Sequence, residues 1–190
     1  MLSKALASEK LKNIIIYFKV HTEHLGVTKL NKLLFFADFL HYQETGRSIT
    51  GQDYFAWEFG PVPVKVYKEI TGNEDCGLGL SECFSIEEHN RFKQLCLKSG
   101  AEFDEDVFTD RELKILADVS TSFADTDAES IVEISHHDNM PWSITIKERG
   151  LNKKIDYDLV FRGIEDSDMV RVIRERQKER HEVESLFTHP

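Results

Sequence analysis

Apolar residues recur along this chain at two spacings, and the change from one to the other marks out its elements. Leu11, Ile14, Ile15, Phe18 and Leu25 follow the i, i+3, i+4, i+7 order of an amphipathic helix, with Ser8 as N-cap, an end near His24 and Gly26 as the stop. Thr28 opens a second helix whose Leu30, Leu33, Leu34, Phe36, Ala37, Phe39 and Leu40 cover more than one face, as a helix packed on several sides requires. Gly46 suits the left-handed residue that ends it. Over residues 52–59 the period becomes two, putting Tyr54, Ala56 and Glu58 on one side and Phe55, Trp57 and Phe59 on the other, with the aromatic side expected to be buried against the second helix. Gly60-Pro61-Val62-Pro63 then reads as a rigid corner, because each proline fixes φ and restricts the residue before it. Pro63 starts a third helix that turns Val66, Tyr67 and Ile70 inward.

Beyond this stretch the pattern is looser. Residues 71–85 read as a loop or irregular excursion with a short strand at Cys83-Phe84-Ser85-Ile86. Ser85 caps a short helix over 87–96 with Phe92 and Leu95 on its apolar side. Residues 102–106 form an edge strand or a loop. Thr109-Asp110-Arg111-Glu112 is a capping box, opening a helix with Leu113, Leu116, Val119 and Phe123 inward. Asp125 or Thr126 caps the next helix, which carries Ile131, Val132 and Ile134 and ends at His136-His137-Asp138-Asn139, and Met140-Pro141-Trp142 turns the chain again. Asp166 caps a last helix through Met169, Val170 and Ile173. Residues 174–182 have no apolar position, so this helix either frays into solvent, helped by pairs such as Arg171 with Glu175, or docks on another chain.

With 190 residues, the chain is of a size that one core serves, and the elements predict a mostly helical α+β single domain with a small antiparallel β-sheet. The domain spans 1–165, and 166–190 is a charged C-terminal helix that is part of it or appended to it. The formal net charge is −10, which repels phosphate backbones and favours a basic protein partner over nucleic acid. The excess lies in the middle: residues 73–112 carry four Lys/Arg against eleven Asp/Glu, and 113–170 six against twelve. Cys76, Cys83 and Cys96 lack the paired spacing of a zinc or redox site. No window approaches the ~18 apolar residues of a membrane span, and the expected location is the cytoplasm.

Catalytic chemistry finds little support. There is no G-x-x-x-x-G-K-[ST], G-x-G-x-x-G or G-x-S-x-G. His136-His137-Asp138 offers metal-ligating groups, but neighbours on one helix point apart and no H-E-x-x-H spacing supports them. No cofactor, metal or catalytic residue is expected. Asp38, His41 and Tyr42 stand at i, i+3 and i+4, with the carboxylate in reach of the imidazole; they form either a contact site for a partner or a pair that orients the helix.

Residues 29–70, KLNKLLFFADFLHYQETGRSITGQDYFAWEFGPVPVKVYKEI, resemble the signature of the Panacea domain, the SocA-like antitoxin family also found in phage-associated proteins. The matching features are Lys29 to Leu34, Ala37-Asp38, Gly46 to Gly51, Ala56-Trp57, Gly60-Pro61-Val62 and Tyr67. Ser135-His136 leading to Pro141-Trp142 is similar to a later family element, so the likeness covers 8–72 and 128–150. It implies a helical domain with a small sheet that neutralises a co-encoded toxin by direct binding. No separate DNA-binding module is expected. The alternatives are an adaptor that delivers a bound protein to a protease and, third, a metal-dependent enzyme. The residues expected to meet the partner are Asp38, His41, Trp57, Glu58, Phe59, Pro61, Pro63, Tyr67, His136 and Trp142.

Overall fold

The computed structural model describes residues 4–89 and 92–188, and its architecture is mostly helical α+β, as the pattern predicts. Helix α2 (Val27–Thr45) runs through the middle. Leu30, Leu33, Leu34, Phe35 and Ala37 are wholly buried, since α1 (Lys4–His21), α5 (Asp110–Ser122), α6 (Ala128–Ser135) and the first β-hairpin pack around it. Helix α1 starts before Ser8, whose hydroxyl donates to the Leu78 carbonyl at 2.6 Å instead of capping. Helix α2 likewise starts before Thr28, at an N-cap Gly26 with no side-chain cap. Gly46 ends it at φ 69°, as expected.

The first correction concerns residues 54–63. Gly60-Pro61-Val62-Pro63 is a strand, β2 (Gly60–Pro63), paired antiparallel with β1 (Tyr54–Trp57) in the register Tyr54 to Pro63 and Trp57 to Gly60. The inward face is also the reverse of the expected one. Tyr54 and Ala56 are wholly buried, Phe55 and Trp57 are half-buried, and Phe59 in the turn is 68% exposed. The reason lies beneath the strand, where the Tyr54 hydroxyl donates to Asp38 Oδ2 at 2.8 Å. On its other edge β1 bonds to residues 152–155, with Asn152 N–H and Ile155 N–H donating to the Ala56 and Tyr54 carbonyls. Helix α3 (Val64–Ile70) follows, with Pro63 as its N-cap.

The second correction is the predicted helix over 87–96. A short α4 (Leu80–Cys83) leads into an antiparallel hairpin of β3 (Phe84–His89) and β4 (Phe92–Leu97). Phe84 and Leu95 are buried and Ile86 and Leu97 partly so, the alternation of a half-covered strand; the Phe92 side chain lies outside those described. The loop before it is organised by the buried Glu69 carboxylate, which accepts the N–H groups of Cys76, Leu78 and Leu80 at 3.1, 2.9 and 2.6 Å.

Residues 102–106 are loop and 3-10 turn. The capping box at Thr109 is present, and its Glu112 also pairs with the buried Lys10 at 2.6 Å, tying α5 to α1. The N-cap of α6 is Asp127, accepting the Ser130 N–H at 2.7 Å, in place of Asp125 or Thr126. Ile131 faces the core, but Ile134 is exposed. Helix α7 (Pro141–Arg149) carries proline at its start. Helix α8 (Asp168–Thr188) is continuous through the polar stretch and begins after Asp166. Val170 and Ile173 pack on Phe161, Gln177 Nε2 donates to Tyr42 Oη and the Gly46 carbonyl, both at 3.0 Å, and Arg174 pairs with Asp158 at 2.8 Å. The expected Arg171–Glu175 pair is replaced by Arg171 with Asp168.

Candidate functional site

Four of the ten expected contact residues are interior, for reasons their neighbours make plain. Asp38 is wholly buried. It accepts the N–H groups of Ile49 and Thr50, each at 2.8 Å, and the hydroxyls of Thr50 and Tyr54. Burial pushes its carboxyl up, and these donated bonds pull the other way. His41, also buried, uses Nδ1 on the Arg47 carbonyl at 2.7 Å and makes no bond to Asp38. Both side chains hold the loop after α2. Pro61 and Pro63 are buried in β2.

The other six converge at the turn end of the first hairpin. Trp57 is half-buried, with Tyr67 of α3 edge-on to it at 5.1 Å between centroids. Its carbonyl accepts the indole N–H of Trp142 at 2.9 Å. Trp142 in turn stacks on His136, with centroids 3.7 Å apart and planes 7° from parallel. Glu58 and Phe59 project from the turn into solvent. Helices α3, α6 and α7 thus each bring one aromatic or imidazole ring, or the residue just past their end, to a single turn of chain.

Beneath this surface lies a residue that pattern reading missed. Lys32 of α2 is 1% exposed, and among the described residues its Nζ has only a long contact, 3.4 Å, to the Pro61 carbonyl. Burial pushes the ammonium down to about 7. His136, held below its ordinary value by burial and then by the Lys32 charge, has a buried Nε2 with no hydrogen-bond partner. Gly60 lies against both helices: a Cβ there would stand 2.6 Å from Lys32 Cε and 2.8 Å from Ser135 Oγ, at a φ of +100°. A side chain at position 60 would therefore be strained by its backbone angle and would displace the end of Lys32 and the Ser135 hydroxyl. The sequence did carry a signal for Lys32, a lysine between Leu30 and Leu33 on a helix whose apolar residues cover more than one face.

Tyr67 also forms one wall of a cleft of about 680 Å³ at the start of α2, bordered by Thr28, Asn73, Lys93 and Asp127. The aromatic surface and this cleft share Tyr67. The candidate metal set does not gather: His136 stacks on Trp142, Asp138 pairs with Lys147 at 2.9 Å and His137 is exposed. Among the described residues no group of three or more His, Cys, Asp or Glu is placed to hold a metal ion. The three cysteines are free and half-buried, and among the described residues no helix is long and apolar enough to cross a membrane.

Comparison with known families matches residues 30–143 to the model described as Antitoxin SocA-like, Panacea domain. It runs unbroken through the acidic middle of the chain, which the sequence resemblance at 8–72 and 128–150 left unassigned. No curated protein and no solved structure matches.

Proposed function

We propose that this chain, which belongs to the SocA-like antitoxin family of Panacea domains, neutralises a co-encoded toxin in the cytoplasm by direct protein–protein binding. The observation that carries this reading is the aromatic surface at the turn end of the first hairpin, where Phe59 stands 68% exposed near the half-buried Trp57, Trp142 and Tyr67. Interface hot spots are enriched in aromatic residues and favour sites already rigid before binding, and the Trp142–Trp57 hydrogen bond and the His136 stack supply that rigidity. The net charge of −10 favours a basic toxin, through steering of the encounter more than through affinity. Glu58, exposed beside Phe59, adds a carboxylate to the contact.

The test is co-expression. The neighbouring gene is expected to arrest growth alone and to be silent with this chain. Phe59→Asp is expected to abolish protection while leaving thermal unfolding unchanged, because the side chain is outside the core; a hot-spot loss of about 2 kcal/mol corresponds to roughly 30-fold weaker binding. An unchanged toxin half-life in the protected cells marks masking, and a shortened one marks delivery to a protease. A neighbour that is harmless alone, or toxicity that persists beside the intact chain, overturns the reading.

A further inference from the structure

Helix α8 presents two faces. Val170, Ile173 and Gln177 hold it to the body. About a third of a turn round the helix from these contacts, Met169, Val172, Val183 and Leu186 are 46, 43, 53 and 77% exposed, four of the ten large apolar side chains most exposed among the described residues. With Arg176 and Glu179, both exposed, they occupy positions 169, 172, 176, 179, 183 and 186. The gaps alternate three, four, three, four, three, which is the a/d seam of a heptad repeat. A monomer gains nothing from leaving such a seam in water.

The seam is also self-complementary. When two copies of α8 lie antiparallel about a two-fold axis crossing between Gln177 and Lys178, Met169 falls opposite Leu186 of the second copy and Val172 opposite Val183. At the centre, Arg176 falls opposite Glu179, and the symmetry makes this pair twice. A parallel pair would instead set Arg176 against Arg176 and Glu179 against Glu179. Pairing by a two-fold needs one surface to match itself, and here the apolar layers match at both ends and the charges match in the middle. We propose that α8 is a homodimer interface in which two chains pair through this antiparallel seam. The seam from Met169 to Leu186 is about 26 Å long at 1.5 Å per residue. Its area is small and its central layer polar, and Glu175 and Glu182 flank it with like charges, so the dimer is weak, with a Kd of micromolar order.

Sedimentation of the full chain from about 1 to about 300 µM brackets a Kd of that order. A monomer–dimer equilibrium is expected. Arg176→Glu should weaken it at least tenfold by setting glutamate against glutamate, and so should Glu179→Arg by setting arginine against arginine. The double swap R176E/E179R should restore it, because the pair is remade with its signs exchanged. All three changes are on the exposed face, so circular dichroism and the unfolding temperature should match the parent, and the rescue by the double swap excludes misfolding as the cause. A chain that stays monomeric throughout the range, a dimer indifferent to the single swaps, or a double swap that fails to rescue overturns the proposal.

Discussion

Lys32 is the residue whose placement costs the fold most visibly. A buried ammonium without a carboxylate is stabilised only by what its Nζ can reach, here the Pro61 carbonyl at 3.4 Å. Its folded value of about 7 lies below the ~10.4 of an exposed lysine. Between those values the unfolded chain holds a proton that the folded chain has released, so stability from this site rises with pH across that window and is lowest below pH 7. Lys32→Met, which keeps the length and removes the charge, is therefore expected to stabilise the protein at pH 6 by on the order of 3 kcal/mol, an advantage that shrinks towards pH 10. Urea unfolding of both proteins at the two pH values measures it; a variant less stable at both would show that the ammonium is satisfied as it stands. The same logic of buried partners ranks the hairpin aromatics. Tyr54→Ala removes a wholly buried ring and leaves Asp38 short of a donor, costing about 3–5 kcal/mol, whereas Trp57→Ala at a half-buried site costs roughly 1–2. The order of the two denaturation midpoints is the check.

Among the elements, what was legible and what was not divides on physical lines. Helix α2, the Gly46 stop and the Thr109 capping box could all be read because each rests on local chemistry, periodicity or a cap. The inward face of β1 could not, because alternation gives two faces without saying which is inside. The larger aromatic set favoured Phe55, Trp57 and Phe59, and the buried Asp38 carboxylate, which needs the Tyr54 hydroxyl, decided otherwise. Phe84, Ile86, Leu95 and Leu97 fit a strand period as well as Phe92 and Leu95 fit a helical one, and bonds from Leu95 N–H to the Leu25 carbonyl, far off in sequence, select the strand. Of the candidate site, the aromatic ring set was visible and its buried floor at Lys32 was not. The junction between α2 and α8 is a further long-range feature, and Gly46 is its hinge. At φ 69° its missing Cβ would stand 2.6 Å from Ile173 Cγ2 and 2.7 Å from Gln177 Nε2. Gly46→Ala thus combines about 1 kcal/mol of backbone strain with a collision against α8. Hydrogen exchange is expected to lose roughly tenfold or more protection at Val170 to Gln177 while α2 keeps its own; equal loss in both would mean that α8 is integral to the main core.

For the whole molecule, the question is how far the Panacea-domain body depends on its last helix. The main core gathers residues of α1 to α6 and of both hairpins, together with Leu25, Ile49 and Ile155, whereas Val170 and Ile173 form a separate small cluster with Phe161. The family match likewise ends at residue 143, before α8 begins. A chain ending at Glu165 would lose that small cluster, the Tyr42–Gln177 bond and the Arg174–Asp158 pair, while every ring of the hairpin surface keeps its supports. The loss amounts to about 3–5 kcal/mol by analogy with the removal of a few buried side chains, or a fall in unfolding temperature of roughly 10 °C for a chain of this size. Calorimetry of the truncated chain is expected to show one cooperative transition at that lower temperature, and co-expression below it should still silence the toxin, with the dimer gone. Protection lost in a truncated chain that remains folded would move the toxin contact from the hairpin to α8, and the exposed heptad seam would then be the toxin's own binding face.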